Sequence, residues 1–306
     1  MTIAVIGSIH VDFYIKTPKF PQPDETVLGK EFAMYPGGKG ANQAVGCARL
    51  GVRTYMLSAI GDDFFGKIMV ENLSKNNVVT DYIYVAKGVH TGVAFIILNE
   101  VSKENMIIVA PGADEAITPD YVENTLSSLT PRAVLTQLEI PIQTVYKTLE
   151  IGKKVDAITV LNPSPVKYLR SEIYKYVDVI IPNRVELQQL SGIEVRTEED
   201  VFKAGECLLS RGVKVVVATL GARGAAVITY DKKKIVEAFK VDVVDTVGAG
   251  DAFAAGLAVA LVEGRDIEEA VRFANAVAAL KVTRMGAQSM PYREEVEKFL
   301  KKYLHQ

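Results

Sequence analysis

Short apolar runs alternate with helical patterns along most of the chain. The predicted strands are Ile3–Ile6, Tyr55–Ile60, Ala133–Glu139, Ala157–Leu161, Val177–Pro182 and Lys214–Thr219. Such alternation favours a doubly wound α/β fold, in which a mainly parallel sheet carries helices on both faces. Polar residues follow several of these runs, at the carboxyl ends of parallel strands, where such folds place their sites.

Two segments, about 11–35 and 90–110, do not follow this alternation. The second contains the apolar runs Val93–Leu98 and Met106–Val109 around a polar turn, which predicts a hairpin. We expect one domain over residues 1–306, in which these segments form a small sheet that acts as a lid. Its uncovered apolar face favours a homodimer, although ordinary edge strands would produce the same pattern.

Charge and composition exclude several classes of protein. Of the 306 residues 49% are hydrophobic, and 35 basic against 37 acidic residues give a formal charge of -2. No strong field is available to attract nucleic acid or an anionic membrane, and no apolar run reaches the ~18 residues of a membrane span. Cys47 and Cys207 lack metal-ligand spacing, and we expect buried thiols. The simplest expectation is a cytoplasmic enzyme.

The most distinctive segment is Asp245–Phe253, with the sequence Asp-Thr-Val-Gly-Ala-Gly-Asp-Ala-Phe. Val241 to Val244 alternate like the end of a strand, and a helix follows from Ala252. A glycine turn at a helix start gathers unpaired N–H groups and the positive end of the helix dipole, which binds anions. Asp251 could simply cap this helix, but beside an anion site it could also take a proton from a hydroxyl.

A second glycine-rich segment, Gly37–Val45, reads Gly-Gly-Lys-Gly-Ala-Asn-Gln-Ala-Val and leads into another predicted helix. Lys39 and Asn42 offer groups that bind hydroxyls. The chain contains no Gly-x-x-x-x-Gly-Lys-[Ser/Thr] phosphate loop. It also lacks the Gly-x-Gly-x-x-Gly of a dinucleotide site after its first strand, which leaves an oxidoreductase as a remote alternative.

Together these two segments resemble the signatures of the ribokinase-like carbohydrate kinases, and smaller matches extend from Gly7 to Pro291. The resemblance implies an ATP-dependent kinase for a primary sugar hydroxyl, with D-ribose as the first candidate. It implies catalysis by Asp251 as general base and by the backbone of Gly248, Ala249 and Gly250. The implied sugar-binding residues are His10, Asp12, Gly38, Lys39, Gly40, Asn42, Glu139 and Asp251. The implied nucleotide-binding residues are Asn183, Thr219, Gly221, Arg223, Gly224, Gly250 and Asn275.

Two metal ions are also implied by the resemblance. Mg²⁺ is expected near Asn183 and Glu186, although the same pair would alone predict a helix capping box. K⁺ is expected on backbone groups near Asp245, Val247, Lys281, Arg284, Gly286 and Ser289.

His10 departs from the family pattern, which has an asparagine at that position. At this place the imidazole should face the substrate, whereas His90 and His305 are expected to be structural. The departure leaves nucleoside kinase, deoxyribokinase and fructokinase open as alternatives. From a different class, a sugar-binding regulator without turnover is a further alternative, against which the intact Asp251, Gly248 and Gly250 argue.

Overall fold

The structure is a computed structural model that describes residues 1–102 and 104–304, so His305 lies outside the described residues. In chain order the strands are β1 Thr2–Ile6, β2 His10–Thr17, β3 Glu31–Gly37, β4 Arg53–Gly61, β5 Val78–Val79, β6 Ile83–Ala86, β7 Gly92–Asn99, β8 Asn105–Ala110, β9 Ala133–Thr136, β10 Ile158–Leu161, β11 Val179–Ile180, β12 Val215–Thr219, β13 Ala225–Ile228 and β14 Lys233–Val236. The helices are α1 Lys39–Arg49, α2 Phe64–Lys75, α3 Pro119–Leu129, α4 Ile142–Lys154, α5 Arg184–Ser191, α6 Glu198–Ser210, α7 Ala249–Val262, α8 Ile267–Val282 and α9 Arg293–Leu304.

The large sheet confirms the predicted doubly wound fold. Its strand order is β14-β13-β12-β11-β10-β9-β1-β4-β5, with β6 paired to β4. Pairing is parallel from β5 to β12 and antiparallel in the β12–β13–β14 meander. Side chains of β1 alternate between two hydrophobic cores, since Ile3 and Val5 pack on one face and Ala4 and Ile6 on the other. This alternation is the strand period of two, and it buries both faces of the sheet under helices.

A separate four-stranded sheet has the order β3-β2-β7-β8. It is built from the two segments that departed from the strand–helix alternation, and β7 and β8 form the predicted hairpin. Phe13 stacks between Phe32 and Phe95 within the sheet and meets the edge of Phe65 in α2, which joins the small sheet to the main body. Its action as a lid stays a prediction.

The structure contradicts the predicted strand end at Val241 to Val244. After β14 the chain runs without strand pairing to α7, and the amides of Val244 and Asp245 donate to the Val282 carbonyl at 2.8 and 3.1 Å. Because β14 lies at the edge of the sheet, the chain must cross from that edge to reach the start of α7. Alternating valines in this crossing have no neighbouring strand with which to pair.

Both cysteines are free, but only Cys47 is fully buried. Cys207 is half-buried, so the expectation of two buried thiols was right for one residue and wrong for the other. Across residues 1–102 and 104–304, no helix is both long enough and apolar enough to cross a bilayer.

Candidate active site

The two glycine-rich segments meet at the carboxyl edge of the large sheet. Helix α1 begins directly after the glycine pair of the first segment, and α7 begins at the turn of the second. The side-chain amide of Asn42 donates to Asp251 Oδ2 at 2.9 Å, and the side-chain amide of Gln43 donates to Asp251 Oδ1 at 2.9 Å. Two segments that are distant in sequence therefore orient a single carboxylate.

Asp251 is 4% exposed. Burial raises the pKa of its carboxyl group, although Lys39 and the amides of Asn42 and Gln43 favour the charged form. A higher pKa makes a carboxylate a better proton acceptor, provided that it remains ionised at the working pH. Burial, orientation and hydrogen bonding thus prepare Asp251 for acid–base chemistry.

The turn before α7 presents backbone N–H groups to the same point. Gly248 has a left-handed backbone (φ 78°), and a Cβ there would lie 2.6 Å from the Ala287 carbonyl oxygen, so the turn requires glycine. Among the described residues, the amides of Gly248, Gly250 and Asp251 have no hydrogen-bond partner, whereas the Ala249 amide donates to the Thr246 carbonyl at 3.1 Å. Three of these amides are therefore available for the predicted anion site at the start of α7, whereas that of Ala249 is not.

Three buried polar residues around Asp251 were not among the predicted site residues. The Gln43 amide also donates to Asn162 Oδ1 at 3.2 Å, and the Gln137 amide donates to Gln43 Oε1. Asn162 donates in turn to the Ile181 carbonyl at 3.0 Å. Gln137 and Asn162 each directly follow a strand, and this polar position after an apolar run was the available signal.

Two cavities adjoin at the start of α7. The larger, about 500 Å³, has mainly apolar walls that include Phe253, Ala278 and Val282. The smaller, about 200 Å³, is polar and is lined by residues that include Lys39 and Asp251. They share residues Thr219, Thr246, Ala249 and Gly250. An apolar planar group in the first cavity could therefore carry a charged tail into the second, beside Asp251.

The predicted sugar-binding carboxylates surround Lys39. Glu139 Oε2 accepts hydrogen bonds from the Ser8 hydroxyl and, at 2.9 Å, from the Lys39 amide. Burial alone would lower the pKa of the Lys39 ammonium, but Asp251, Glu139 and the neighbouring carboxylates raise it. Burial raises the pKa of Asp12 to about 6. The site thus combines one cation with several carboxylates, an arrangement suited to binding a polyhydroxylated molecule.

Other predicted sugar-site residues come from the start of α1. Gly38 precedes the helix with a left-handed backbone (φ 85°), and Gly40 is buried in its first turn. A Cβ at Gly40 would lie 2.6 Å from the backbone of Gly7, so this part of the site also depends on close backbone packing.

His10 lies against a partner that the sequence did not indicate. It is 2% exposed, and its Nε2 is 2.7 Å from Oδ2 of the fully buried Asp114, which also accepts from the Ile9 amide at 3.0 Å. Burial alone would lower the pKa of His10, but the hydrogen bond and charge of Asp114 outweigh it and raise the pKa to about 9. The imidazole of His10, at the start of β2, therefore has a structural partner in Asp114. The sequence analysis expected this ring to face the substrate and did not indicate Asp114.

This buried pair makes stability depend on pH. The folded protein holds a proton on His10 up to about pH 9, whereas an unfolded histidine releases it near pH 6.5. The stabilisation that protonated His10 provides is therefore complete below the pKa of the histidine in the unfolded chain. It is lost as the pH rises through the pKa of the histidine in the folded protein. We expect the free energy of unfolding to fall by up to about 3 kcal/mol between pH 6.5 and 9, measured by urea denaturation. His10→Gln should flatten this slope, and a wild-type stability that rises across the interval would contradict the assignment.

Asn183 and Glu186 form a complete capping box at the start of α5. Asn183 Oδ1 accepts from the Glu186 amide at 2.9 Å, and Glu186 Oε2 accepts from the Asn183 amide at 2.8 Å. Both residues also line the small cavity, and burial raises the pKa of Glu186. The same two side chains therefore cap a helix and present oxygen atoms to the cavity.

Most of the predicted nucleotide-binding residues lie around the larger cavity. Thr219, Gly221, Gly224, Gly250 and Asn275 line it, while Arg223 is exposed and is not among its lining residues. The Asn275 amide donates to the carbonyls of residues 236 and 237 at 3.0 and 3.1 Å, so it also holds the segment after β14 in place.

The residues predicted around a potassium ion form a compact loop cluster behind the glycine turn. Asp245 accepts from the Val247 amide at 3.0 Å and from the Gly286 amide at 2.8 Å. The Ser289 hydroxyl donates to the Gly286 carbonyl at 2.7 Å, and the Arg284 side chain pairs with Glu295. Lys281 Nζ lies 3.0 Å from the Asp245 carbonyl oxygen, inside this cluster.

Comparison with known proteins places this geometry in a family. The sequence matches the pfkB family carbohydrate kinases over residues 2–294. It is 38% identical over 301 residues to the ribokinase of Haemophilus influenzae, covering 98% of each chain. It is 36% identical over 305 residues to the deoxyribokinase of Salmonella typhi, covering 98% of this chain and 99% of the relative. The solved structure of Arabidopsis thaliana ribokinase complexed with ribose and ATP is similar with a TM-score of 0.89 and 33% identity, covering 98% of each chain.

The match extends over nearly the whole chain, and the fold of the relatives is the fold found here. Both glycine-rich segments that converge on Asp251 lie within the matched range. The chain therefore belongs to the pfkB family of carbohydrate kinases.

Proposed function

We propose that this kinase transfers the γ-phosphoryl group of ATP to the primary hydroxyl at C5 of D-ribose. The observation that carries the proposal is the position of Asp251, which is held by Asn42 and Gln43 beside free N–H groups at the start of α7. A base next to an anion site can deprotonate a hydroxyl while the site stabilises the incoming phosphoryl group.

Substrate and donor have separate places in this arrangement. The adenine and ribose of ATP fit the larger apolar cavity, and its phosphates fit the smaller one, next to the amides of Gly250 and Asp251. The sugar is bound next to Asp251, among Asp12, Lys39 and Glu139. Closure of the small sheet over the sugar would exclude water and limit hydrolysis of ATP. We also propose a cytoplasmic location, where ATP is available.

The side chains at the small cavity include oxygen groups that could bind a magnesium ion. Hard cations prefer oxygen ligands, and Mg²⁺ in kinases keeps several waters and binds the nucleotide with only one or two side chains. Asn183 and Glu186 offer such oxygens at the small cavity, and no denser group of potential metal ligands occurs in the described part of the chain. They would hold the ion, which when bound neutralises charge on the phosphates.

The described residues do not fit the potassium ion that the resemblance implies. The Asp245 carbonyl, one of the expected ligands, already accepts a hydrogen bond from the Lys281 ammonium. A cation at this place would meet a charge of the same sign, and no step of the proposed reaction depends on it.

A substrate panel tests the proposed function. We expect ADP release with D-ribose to exceed that with 2-deoxy-D-ribose by at least about tenfold in kcat/KM, because losing one hydroxyl leaves a buried polar partner unpaired. D-Fructose and adenosine should be poorer still. Phosphorus–proton coupling in the product would show phosphorylation at C5.

The same assay separates the alternatives. Preference for 2-deoxy-D-ribose would identify a deoxyribokinase, which the relationship to the Salmonella typhi enzyme keeps in view. Preference for adenosine or fructose would identify one of the other kinases. Sugar binding without any ADP release would indicate a regulator.

We also propose a homodimer through the small sheet. Met106, Ile107, Ile108 and Val109 of β8 are between 45% and 64% exposed, forming an apolar edge strand of the kind that pairs with a second chain. The double substitution Ile107→Glu with Ile108→Glu should weaken the dimer by at least about tenfold, since each isoleucine contributes about 1.5–3 kcal/mol when buried. Light scattering after gel filtration measures this, and Tyr168→Glu, at an exposed residue outside the small sheet, serves as control. A wild-type monomer would contradict the proposal.

A further inference from the structure

Lys281 is a buried charge that the proposed reaction does not use. It lies in the last turn of α8 and is 0% exposed. Its ammonium donates to the Asp245 carbonyl at 3.0 Å, and it lies 3.7 Å from Oδ2 of the same residue. A buried ammonium needs such partners to remain charged, and Asp245 provides them for Lys281 with its carbonyl and its carboxylate.

Asp245 joins the two loops that shape the anion site. One carboxylate oxygen accepts from the Val247 amide in the glycine turn, and the other accepts from the Gly286 amide in the loop after α8. These loops touch directly, because a Cβ on Gly248 would lie 2.6 Å from the Ala287 oxygen. The Lys281 ammonium therefore lies behind the turn whose amides face the phosphates.

Four of the carbonyls expected around a monovalent metal ion at this place already accept hydrogen bonds from the chain. The Lys281 carbonyl accepts from the Arg284 amide at 3.0 Å, and the Gly286 carbonyl accepts from the Ser289 hydroxyl at 2.7 Å. The Arg284 carbonyl accepts from the same hydroxyl at 3.4 Å. The Asp245 carbonyl, as described, accepts from the ammonium.

We propose that the Lys281 side chain supplies the positive charge behind the glycine turn and replaces a monovalent metal ion, so that phosphoryl transfer by this chain does not require K⁺. The inference rests on the proposed function. An ammonium and K⁺ carry the same charge and both bind carbonyl oxygens, but the ammonium is tethered and cannot be removed by dialysis. Lys281 is thus a positioning residue: it orders the turn through Asp245 and does not itself contact the substrate.

The wild-type protein provides the first test, without any substitution. ADP release with D-ribose and the melting temperature are measured in buffers containing K⁺, Na⁺ or choline at equal ionic strength. We expect both to be the same in the three buffers. Stimulation of turnover by K⁺ together with a K⁺-dependent rise in melting temperature would overturn the inference, because only a bound ion stabilises the folded state in this way.

Lys281→Met provides the second test, since methionine retains much of the length of the side chain but not the charge. We expect kcat/KM to fall by about tenfold or more, as when a preorganised charge beside an oxyanion site is lost. K⁺ or ammonium ion, but not choline, should restore part of the activity and raise the melting temperature of the variant. A merely structural lysine would show the loss without this cation-selective rescue, and that result would count against the proposal.

Lys153→Met is the matched control. Lys153 pairs with Asp178 before β11, at the opposite edge of the sheet from the site, and its loss should not create a response to K⁺. Failure of the proposed function can be distinguished from failure of this inference. A wild-type protein that phosphorylates no sugar can still be tested for stabilisation by K⁺. If Lys281→Met does not fold, the wild-type comparison decides the question.

Discussion

Asp251→Asn is expected to lower kcat with D-ribose and ATP by about 10²–10⁴, which is the usual contribution of a general base. The affinity for ATP should change little, because the cavity walls and the amides at the start of α7 remain in place. Steady-state kinetics at saturating substrates measure the first quantity, and calorimetric titration with ATP measures the second.

The local structure explains why this change isolates the chemistry. Each oxygen of Asp251 accepts one hydrogen bond, from Asn42 and from Gln43 respectively. An asparagine can still accept one of these bonds, and rotation of the facing amide group can restore the other. The fold should therefore survive, whereas the side chain can no longer accept a proton from the sugar.

Asp266→Asn is the matched control for this substitution. Asp266 is an exposed cap of α8 whose carboxylate accepts from the amides of Glu268 and Glu269. Asparagine caps a helix about as well as aspartate, so activity should be unchanged. If Asp251→Asn were as active as this control, Asp251 would have no part in proton transfer.

Gly250→Val is expected to lower kcat/KM for ATP by about 10², because displacement of reacting groups by about 1 Å costs that much. A Cβ added at Gly250 meets no protein atom within 4 Å, and the residue lies in the first turn of α7. Its side of the helix is open to both cavities, so a side chain there occupies space that the phosphates need. Folding should be unaffected, as thermal denaturation would show.

Gly192→Ala should show the opposite behaviour. Gly192 ends α5 with a left-handed backbone (φ 79°), and a Cβ there also meets no atom within 4 Å. Alanine in this conformation costs about 1–2 kcal/mol. The melting temperature should fall while kcat/KM for ATP stays constant. Equal loss of activity in the two variants would mean that Gly250 matters for stability and not for the approach of the nucleotide.

Elements with a strong local pattern could be predicted from the sequence. The predicted strands Ile3–Ile6 and Ala157–Leu161 agree with β1 and β10 to within one residue, and the strand–helix alternation predicts the parallel sheet. Both signals depend on residues within a few positions of one another, so they require no knowledge of the fold. The alternating valines at Val241 to Val244 are also a local signal. They gave a wrong prediction because a strand also needs a neighbouring strand with which to pair.

The polar partners of the site could not be predicted in this way. Gln43 was visible within its motif, but Gln137 and Asn162 lie 94 and 119 positions away from it. Asp114 follows β8 in a short 3-10 turn and bonds to His10 across 104 positions. Strand order decides which residues come together across such separations in sequence. Strand order is a property of the whole fold and cannot be derived from neighbouring residues alone.

By itself, the sequence determined the class of this protein: the strand–helix alternation indicates an α/β fold, and the resemblance of two glycine-rich segments to family signatures indicates a carbohydrate kinase. Only the tertiary structure decided how individual charges are used. It places His10 on Asp114 and the Lys281 ammonium on the Asp245 carbonyl. The physical reason is that a buried charge must find a partner, and only packing of the whole chain determines which partner is within reach.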